Sequence, residues 1–349
     1  MSNNKASLTI AITVYKRPGP LLTLLDSIIA QNDDTFDILV SDDHSEDNLA
    51  ELIIPYKKKL TRLTYHYNKK NLGFAENVAQ TYTMAKTRYV WFMCDDDVLL
   101  PGAIKAVQNS LQEHEPVVAM FNHMHESPYG IEFSAGVTQD TIYNNLSELK
   151  DYQPFMRTMF LSTLVVEKRL PIDPITSHPE YKDNVYTQLT LAMLLLDDKF
   201  KLAEFKYPVL KRNVGYKYGD FFKFILIDQL KAVDLLPSKF DTTKVVAWFK
   251  RDIFTSVQLY FSQKLGVYAY TKPPTYHTIK LLWKYYGIYC FVFIAMIFVY
   301  HLVPAFVFKW YYKKQLIALH GEQKAIQIYN RNINRAYKDS RSAGFTAYR

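Results

Sequence analysis

Over its first 125 residues the chain alternates short apolar runs with segments of helical periodicity. "LTIAITVY" (Leu8–Tyr15) is apolar and rich in β-branched residues, which predicts a buried strand. "KRPGP" closes it. Leu21, Leu24, Leu25, Ile28 and Ile29 then recur at spacings of three and four, the stripe of an amphipathic helix. "FDILV", "RLTYHYN", "YVWFM" and "VVAMF" predict further strands, and "NLGFAENVAQTYTMAK" and "GAIKAVQNSLQEH" predict helices among them. Strands alternating with helices imply an α/β fold, a mostly parallel sheet covered on both faces. Ligands of such sheets bind beyond the carboxyl ends of the strands.

The pattern loosens from about residue 140 to 215, through "SELKDYQPFMRTMFLSTLVV" and the proline-rich "RLPIDPITSHPEYKDN", before the helical "VYTQLTLAMLLL". Residues 218–265 read as largely helical, and "YTKPPTYH" marks a boundary. Tyr285 to Phe308 is a run of 24 residues without Lys, Arg, Asp or Glu. As one helix it would be about 36 Å long, enough for a bilayer core of roughly 30 Å. A single span is awkward, because a basic tail would then lie outside, against the bias that keeps Lys and Arg cytoplasmic. His301 and Pro304 also interrupt the run. The favoured expectation is a surface-lying or re-entrant helical hairpin with both ends cytoplasmic, and the single span is its rival. "KWYYKKQLIALHGEQKAIQIYNR" after it mixes basic and aromatic residues like an interfacial helix. Three units result: 1–215 (halves 1–125 and 126–215), a helical extension over 216–275, and a membrane-associated hairpin with basic tail over 276–349.

Charge sharpens this division. The net charge is +8, yet nine Lys/Arg against Glu322 and Asp339 give +7 from Lys309 onward, leaving +1 for residues 1–308. The positive charge belongs to the tail, and no nucleic-acid-binding motif accompanies it. The two cysteines, Cys94 and Cys290, make no disulfide framework and suit a reducing compartment. The first strand begins by Leu8, leaving no room for a secretory signal, so the expected location is the cytoplasmic face of the cell membrane.

The chemistry concentrates where strands end. "SDDHS" follows the second strand and "CDDDV" the fourth. Two like charges about 4 Å apart repel by roughly 4 kcal/mol at an effective dielectric near 20, so Asp95, Asp96 and Asp97 need a partner. Clustered carboxylates suit a hard divalent cation, Mg²⁺ or Mn²⁺, whose shell is completed by substrate phosphates. Asp42 and Asp43 could instead cap a turn. His123 and His125 alternate at strand spacing and share one face, a possible metal pair or a structural one. Cys94 has no paired base in view.

The order "IAITVYKRPGPLLTLLDSIIAQ", "ILVSDDHSED", "NKKNLGFAENVAQ" and "YVWFMCDDDVLLPGAI" resembles the nucleotide-sugar half of family 2 glycosyltransferases, over about residues 7–125. The resemblance implies a GT-A fold, Rossmann-like, with 1–215 as the catalytic domain and 126–215 as its acceptor half. It implies inverting, metal-dependent transfer, with Asp97 the main ligand of Mn²⁺ or Mg²⁺ and Asp95 touching donor ribose or metal. Asp96 would point elsewhere if the segment stays extended. Asp42, Asp43, Thr13, Tyr15 and Arg17 would line the nucleoside pocket, and Asn71, Gly73 and Asn77 match the family's Asn-x-Gly-x-x-x-Asn segment. Gly73 could also be a simple loop glycine.

The family's base is an acid at the start of a helix, often in a Glu-Asp pair. "SHPEYKDNVYTQL" departs from that pair but offers Asp183, or else Glu180; Asp183 could also cap the helix, and His178 could touch the acceptor. No Arg-Trp pair of the processive synthases occurs, which favours transfer of one sugar. The expected reading is a transferase acting on a lipid-linked glycan of a bacterial surface polysaccharide such as O-antigen or capsule. It would sit at the membrane through residues 276–330, with a homodimer possible. The rivals are a membrane-tethered glycan-binding protein without turnover and a nucleotidyltransferase, the latter disfavoured by the single glycine of "VYKRPGP".

Overall fold

The computed structural model describes residues 7–126, 132–150, 153–171, 184–212, 217–220, 222–234, 238–241, 243, 246–247, 269–272 and 276–330. β1 (Leu8–Val14) leads through α1 (Pro18–Ile29) to β2 (Asp37–Asp42), and the short α2 (Leu49–Leu52) and α3 (Ile54–Lys59) lead to β3 (Leu63–Tyr67). α4 (Phe74–Met84) then carries the chain back to β4 (Tyr89–Cys94), which pairs with β1 on the side away from β2. β3, β2, β1 and β4 all run parallel. Strand order therefore reverses at the β1–β4 seam, and such a reversal opens a crevice past the carboxyl ends. The register sets Thr13 beside both Ser41 and Cys94, and Val14 beside Asp42.

The second half of the sheet is mixed. β5 (Val98–Leu99), α5 (Ala103–His114), β6 (Val118–Glu126), β7 (Glu132–Ala135) and β8 (Thr141–Tyr143) come next. They are followed by α6 (Gln153–Arg157), β9 (Leu164–Glu167), α7 (Thr187–Asp198) and β10 (Leu202–Lys211). β9 inserts antiparallel between β4 and β6, while β6 and β10 are parallel. The expected parallel sheet thus holds for β3–β2–β1–β4, and the strand beside β4 is one the loosened sequence hid.

Alternation along the strands explains the two layers. Leu8, Ile10, Ile12 and Val14 of β1 and Tyr89, Trp91 and Met93 of β4 bury one face against α1 and α5. Ala11, Val90 and Phe92 turn to the other face, against α4 and α7. Side chains of period two on a doubly covered sheet give this division. Leu21, Leu24, Leu25 and Ile28 of α1 are fully buried, each contributing about 1.5–3 kcal/mol.

The stretch expected as a helical extension opens and closes on strands: β11 (Lys217–Asp220) and β12 (Ala269–Lys272) pair in parallel. A π-helical turn (Phe222–Ile227) runs into α8 (Asp228–Val233). The uncharged run beyond is divided among α9 (Tyr276–Tyr286), α10 (Cys290–Leu302) and α11 (Ala305–His320). Gly287 takes φ 53° in the turn after α9, a conformation glycine adopts at little cost. Pro304, extended at φ −60° and ψ 145°, separates α10 from α11. Among the described residues no helix is long and apolar enough to cross a membrane. The rival single span therefore finds no continuous helix there.

Leu282 and Tyr286 of α9 and Cys290 and Phe293 of α10 are buried in the same core as α7 and α8. The Tyr286 hydroxyl donates to the Leu226 carbonyl at 3.2 Å. The first part of the expected hairpin is thus also a wall of the main body.

Candidate active site

β4 ends at Cys94, and Asp95 and Asp96 turn the chain before β5 starts at Val98. All three aspartates are buried, at 5%, 6% and 2% relative exposure. Their partner comes from across the seam. Arg17, just ahead of α1, donates from Nη1 to Asp95 Oδ1 at 2.9 Å and from Nη2 to Asp96 Oδ2 at 2.6 Å. A planar guanidinium offers two donors in a fixed fork, which lysine could not supply. Burial is the strongest influence on Asp95 and pushes its carboxyl up to about 8, against the opposing pull of Arg17. Asp96 is pushed up for the same first reason. Burial alone would lower Arg17, but the two aspartates outweigh it and hold the guanidinium firmly protonated.

The turn also undoes the alternation that an extended segment would have. Asp96 does not point away from Asp97. The Cys94 sulfur and carboxylate oxygens of Asp96 and Asp97 lie within 4.8 Å of one another, the separation expected of ligands sharing one cation at roughly 2.0–2.4 Å from each. Among the described residues this is the group able to hold a metal; Asp95, on Arg17, is not part of it, and neither are His123 and His125. Two carboxylates and a sulfur fit a divalent cation.

The second acidic pair is hydrogen-bonded within the scaffold. Asp42 Oδ1 accepts from the Ser45 amide at 2.8 Å, and Oδ2 accepts from the Tyr65 hydroxyl. Asp43 Oδ1 accepts from Asn68 Nδ2 and the Leu72 amide, and its Oδ2 accepts from the Gly73 amide at 2.9 Å. Asp43 thereby pins the loop leading into α4, where Gly73 sits at φ 85° ahead of the first helical turn. Asn71 Oδ1 accepts from the same Gly73 amide. Asn77 is buried beneath, with Oδ1 accepting from Ser41 Oγ at 2.6 Å and Nδ2 donating to the Ser41 carbonyl. Gln80 and Asn68 complete this network. Thr13 is buried at the end of β1, and Tyr15 lies under Lys16, whose Nζ is 5.2 Å from the ring centroid. Thr13 and Arg17 reach the acidic turn's side of the crevice; Asn71, Gly73 and Asn77 stand on the β2–α4 side.

Two further residues, Ser162 and Arg212, border the site that no motif marked. Ser162 Oγ accepts from the Cys94 amide at 2.9 Å, while its carbonyl accepts from Trp91 Nε1. Arg212, one residue past β10, has its amide on the Met124 carbonyl and its guanidinium 5.0 Å from the Phe160 ring centre. Its charge acts on Asp96. His123 packs its ring 4.6 Å from Phe160, and burial first, then Arg212, drive its imidazole down to about 3, so it is neutral. Ser162 lies in the short helical turn before β9 and Arg212 just past β10, and nothing local in "LSTL" or "LKRN" announces them. Glu180, Asp183 and His178 lie outside the described residues. Asn184, just after them, is described and buried, its Nδ2 donating to the Asp228 carbonyl at 3.0 Å.

Residues 9–154 match the family model described as glycosyl transferase family 2. Over 116 residues the chain is 28% identical to an uncharacterized protein of Mycobacterium tuberculosis, covering 33% of this chain and 35% of that one. Over 111 residues it is 29% identical to an uncharacterized glycosyltransferase of Rickettsia conorii, covering 32% of this chain and 18% of that one. The chain thus spans about a third or less of the length of these relatives. Among solved structures, S. aureus TarS in complex with UDP-GlcNAc is similar over 98% of this chain and 93% of that one, with a TM-score of 0.59 at 16% identity. That likeness is one of fold.

Proposed function

We propose, from a chain that carries a family 2 glycosyltransferase domain of GT-A fold, that the protein moves one sugar from a nucleoside-diphosphate sugar to a glycan hydroxyl at a membrane surface. The observation that carries this reading is the buried acidic turn at the β1–β4 seam, clamped by Arg17. A UDP-sugar is the donor to try first, since TarS, of the same fold, is seen with UDP-GlcNAc.

The chemistry follows from the charges. Asp96 and Asp97 would hold Mn²⁺ or Mg²⁺, which when bound acts as a Lewis acid toward the leaving diphosphate. Arg17 fixes the turn so that these carboxylates are in place before the donor arrives. The acceptor hydroxyl attacks the anomeric carbon from the face opposite the leaving group, inverting its configuration. Asp183, or Glu180, takes the hydroxyl proton as general base. The buried Asn184–Asp228 contact anchors the chain immediately after these two acids.

The acceptor is proposed to be lipid-linked, carried on a polyprenyl diphosphate at the cytoplasmic face. Support comes from the outer faces of α10 and α11. Phe291, Ile294, Phe298, Leu302, Phe306 and Trp310 are exposed large apolar residues recurring at spacings of three and four, and exposed apolar surface of this kind marks an interaction surface. Lys309, Lys313 and Lys314 lie among them, suited to headgroup phosphates. The same face could also join two copies.

The test is release of UDP from UDP-GlcNAc by the purified full chain, with Mn²⁺ and a membrane lipid extract as acceptor source. Asp183→Asn or Glu180→Gln should abolish acceptor-stimulated release while leaving nucleotide binding. Unchanged release in both variants would remove the base assignment, and no nucleotide-sugar turnover with any donor would remove the transferase reading.

A further inference from the structure

We infer that Cys94 is a metal ligand, making the cation site of this protein mixed sulfur and oxygen, selective for thiophilic divalent ions over Mg²⁺. The inference rests on the divalent-cation reading proposed above and goes beyond it by naming the ligand that sets which cation binds.

Three observations converge on the sulfur. Its position is the first: Cys94 closes β4, so its side chain leaves the sheet at the seam beside Thr13 of β1. Its neighbours are the second, because the sulfur and the oxygens of Asp96 and Asp97 already stand within 4.8 Å of one another. Ligands of one tetrahedral or octahedral shell must come that close. The third is its support. Ser162 accepts from the Cys94 amide at 2.9 Å, and its hydroxyl also hydrogen-bonds the thiol. Such a second partner fixes the orientation of a metal ligand. Asp95 is held by Arg17 outside the group, and Asp96 meets Arg17 through Oδ2.

The chemical consequence is directional. A thiolate is a soft donor that favours Zn²⁺ and Cd²⁺, while Mg²⁺ demands oxygen. When a thiophilic ion binds, the Cys94 S–H bond gives way to a metal–sulfur bond and the proton passes to solvent. Mg²⁺ would occupy the two carboxylates and leave the thiol protonated. A bound soft ion would then compete with the ion that supports transfer.

Titrate the purified full chain with Cd²⁺, Mn²⁺ or Mg²⁺, following ultraviolet absorption and thermal unfolding. Compare wild type with Cys94→Ser, Cys94→Ala and Asp97→Ala. The expected result is a thiolate-to-cadmium absorption band in wild type, absent from both Cys94 variants. Their Cd²⁺ affinity falls about tenfold or more, at least the loss seen when a metal's outer-shell partners are removed, while the Mg²⁺-induced shift is unchanged. Cys290 is buried in the core and remains in every variant, so a band that survives the Cys94 substitutions belongs to it and overturns the inference. Equal Cd²⁺ affinity in all Cys94 variants overturns it too; if Asp97→Ala alone then loses Mn²⁺, the cation reading stands with an oxygen-only site. Absence of any divalent-ion effect on wild type removes both.

Discussion

Arg17 is the residue on which the site turns. It bridges two carboxylates that are buried together, donating to each from one arm of its guanidinium. Leaving a buried polar group unsatisfied costs about 1–3 kcal/mol, and more when the group is charged. Arg17→Ala should therefore lower stability by roughly that amount in urea unfolding, and adding Asp95→Asn should recover part of it. No change in either variant would mean the clamp is incidental. Titration supplies a second check. A carboxyl raised in the folded state binds its proton there at pH values where the unfolded chain has lost it. Stability from Asp95 is then full below the ordinary carboxylate range and is lost as pH rises to about 8. The slope is at most about 1.4 kcal/mol per pH unit. Thermal unfolding of the metal-free protein should show this decline between pH 5 and about 8, flattened in Asp95→Asn. A rise of stability over that range would reverse the sign argued here.

At the scale of elements, the C-terminal helices present two faces. The narrow inner stripe, Leu282, Tyr286, Cys290 and Phe293, belongs to the core. Phe293→Ala should cost about 3–5 kcal/mol, the range for a buried aromatic truncated to a cavity. The outer face should be free of such cost. Phe291→Glu with Phe298→Glu and Phe306→Glu should leave unfolding unchanged and move the protein off anionic vesicles in flotation. Retention on vesicles would show that this face meets something else. Cutting the chain after residue 275 would be a poor test, because it strips the core as well as the surface. Segmentation of the uncharged run was legible in outline: Pro304 announced its break, and Gly287 gave the other only once its φ was known. The division of α10 into a buried and an exposed face was not legible, because both faces are apolar and hydropathy has no period to read.

For the molecule as a whole, what the sequence disclosed follows from locality. β1 through α5 alternate with short connections, β1, β2 and β3 pair in chain order, and the acidic turn falls at a strand end. Where pairing is non-local the signal fades. β9 joins β4 and β6 from a stretch with no clean periodicity, and β11 pairs with β12 across a long intervening segment. The site shows the same contrast. The aspartates stood out by their charge, but their turn, the fork from Arg17 and the approach of Cys94 depend on the β1–β4 register. The resemblance placed Asp42, Asp43 and Asn77 at the nucleotide; in the fold Asp42 also accepts from Ser45 and Tyr65, Asp43 from Asn68 and the loop to α4, and Asn77 bonds Ser41, an arrangement set by geometry across several elements.

The central claim is that the buried acidic turn exists to bind a metal-bound nucleoside diphosphate. It is tested most directly by thermal unfolding of wild type and Asp97→Ala with UDP, GDP, dTDP or CDP, each with and without Mn²⁺. Ligand at a hundredfold excess over its dissociation constant stabilises by about 2.7 kcal/mol. The account predicts a clear shift for one nucleotide, UDP first, that requires Mn²⁺ and disappears in Asp97→Ala. A shift of equal size without metal or in the variant, or no shift with any nucleotide, would contradict it.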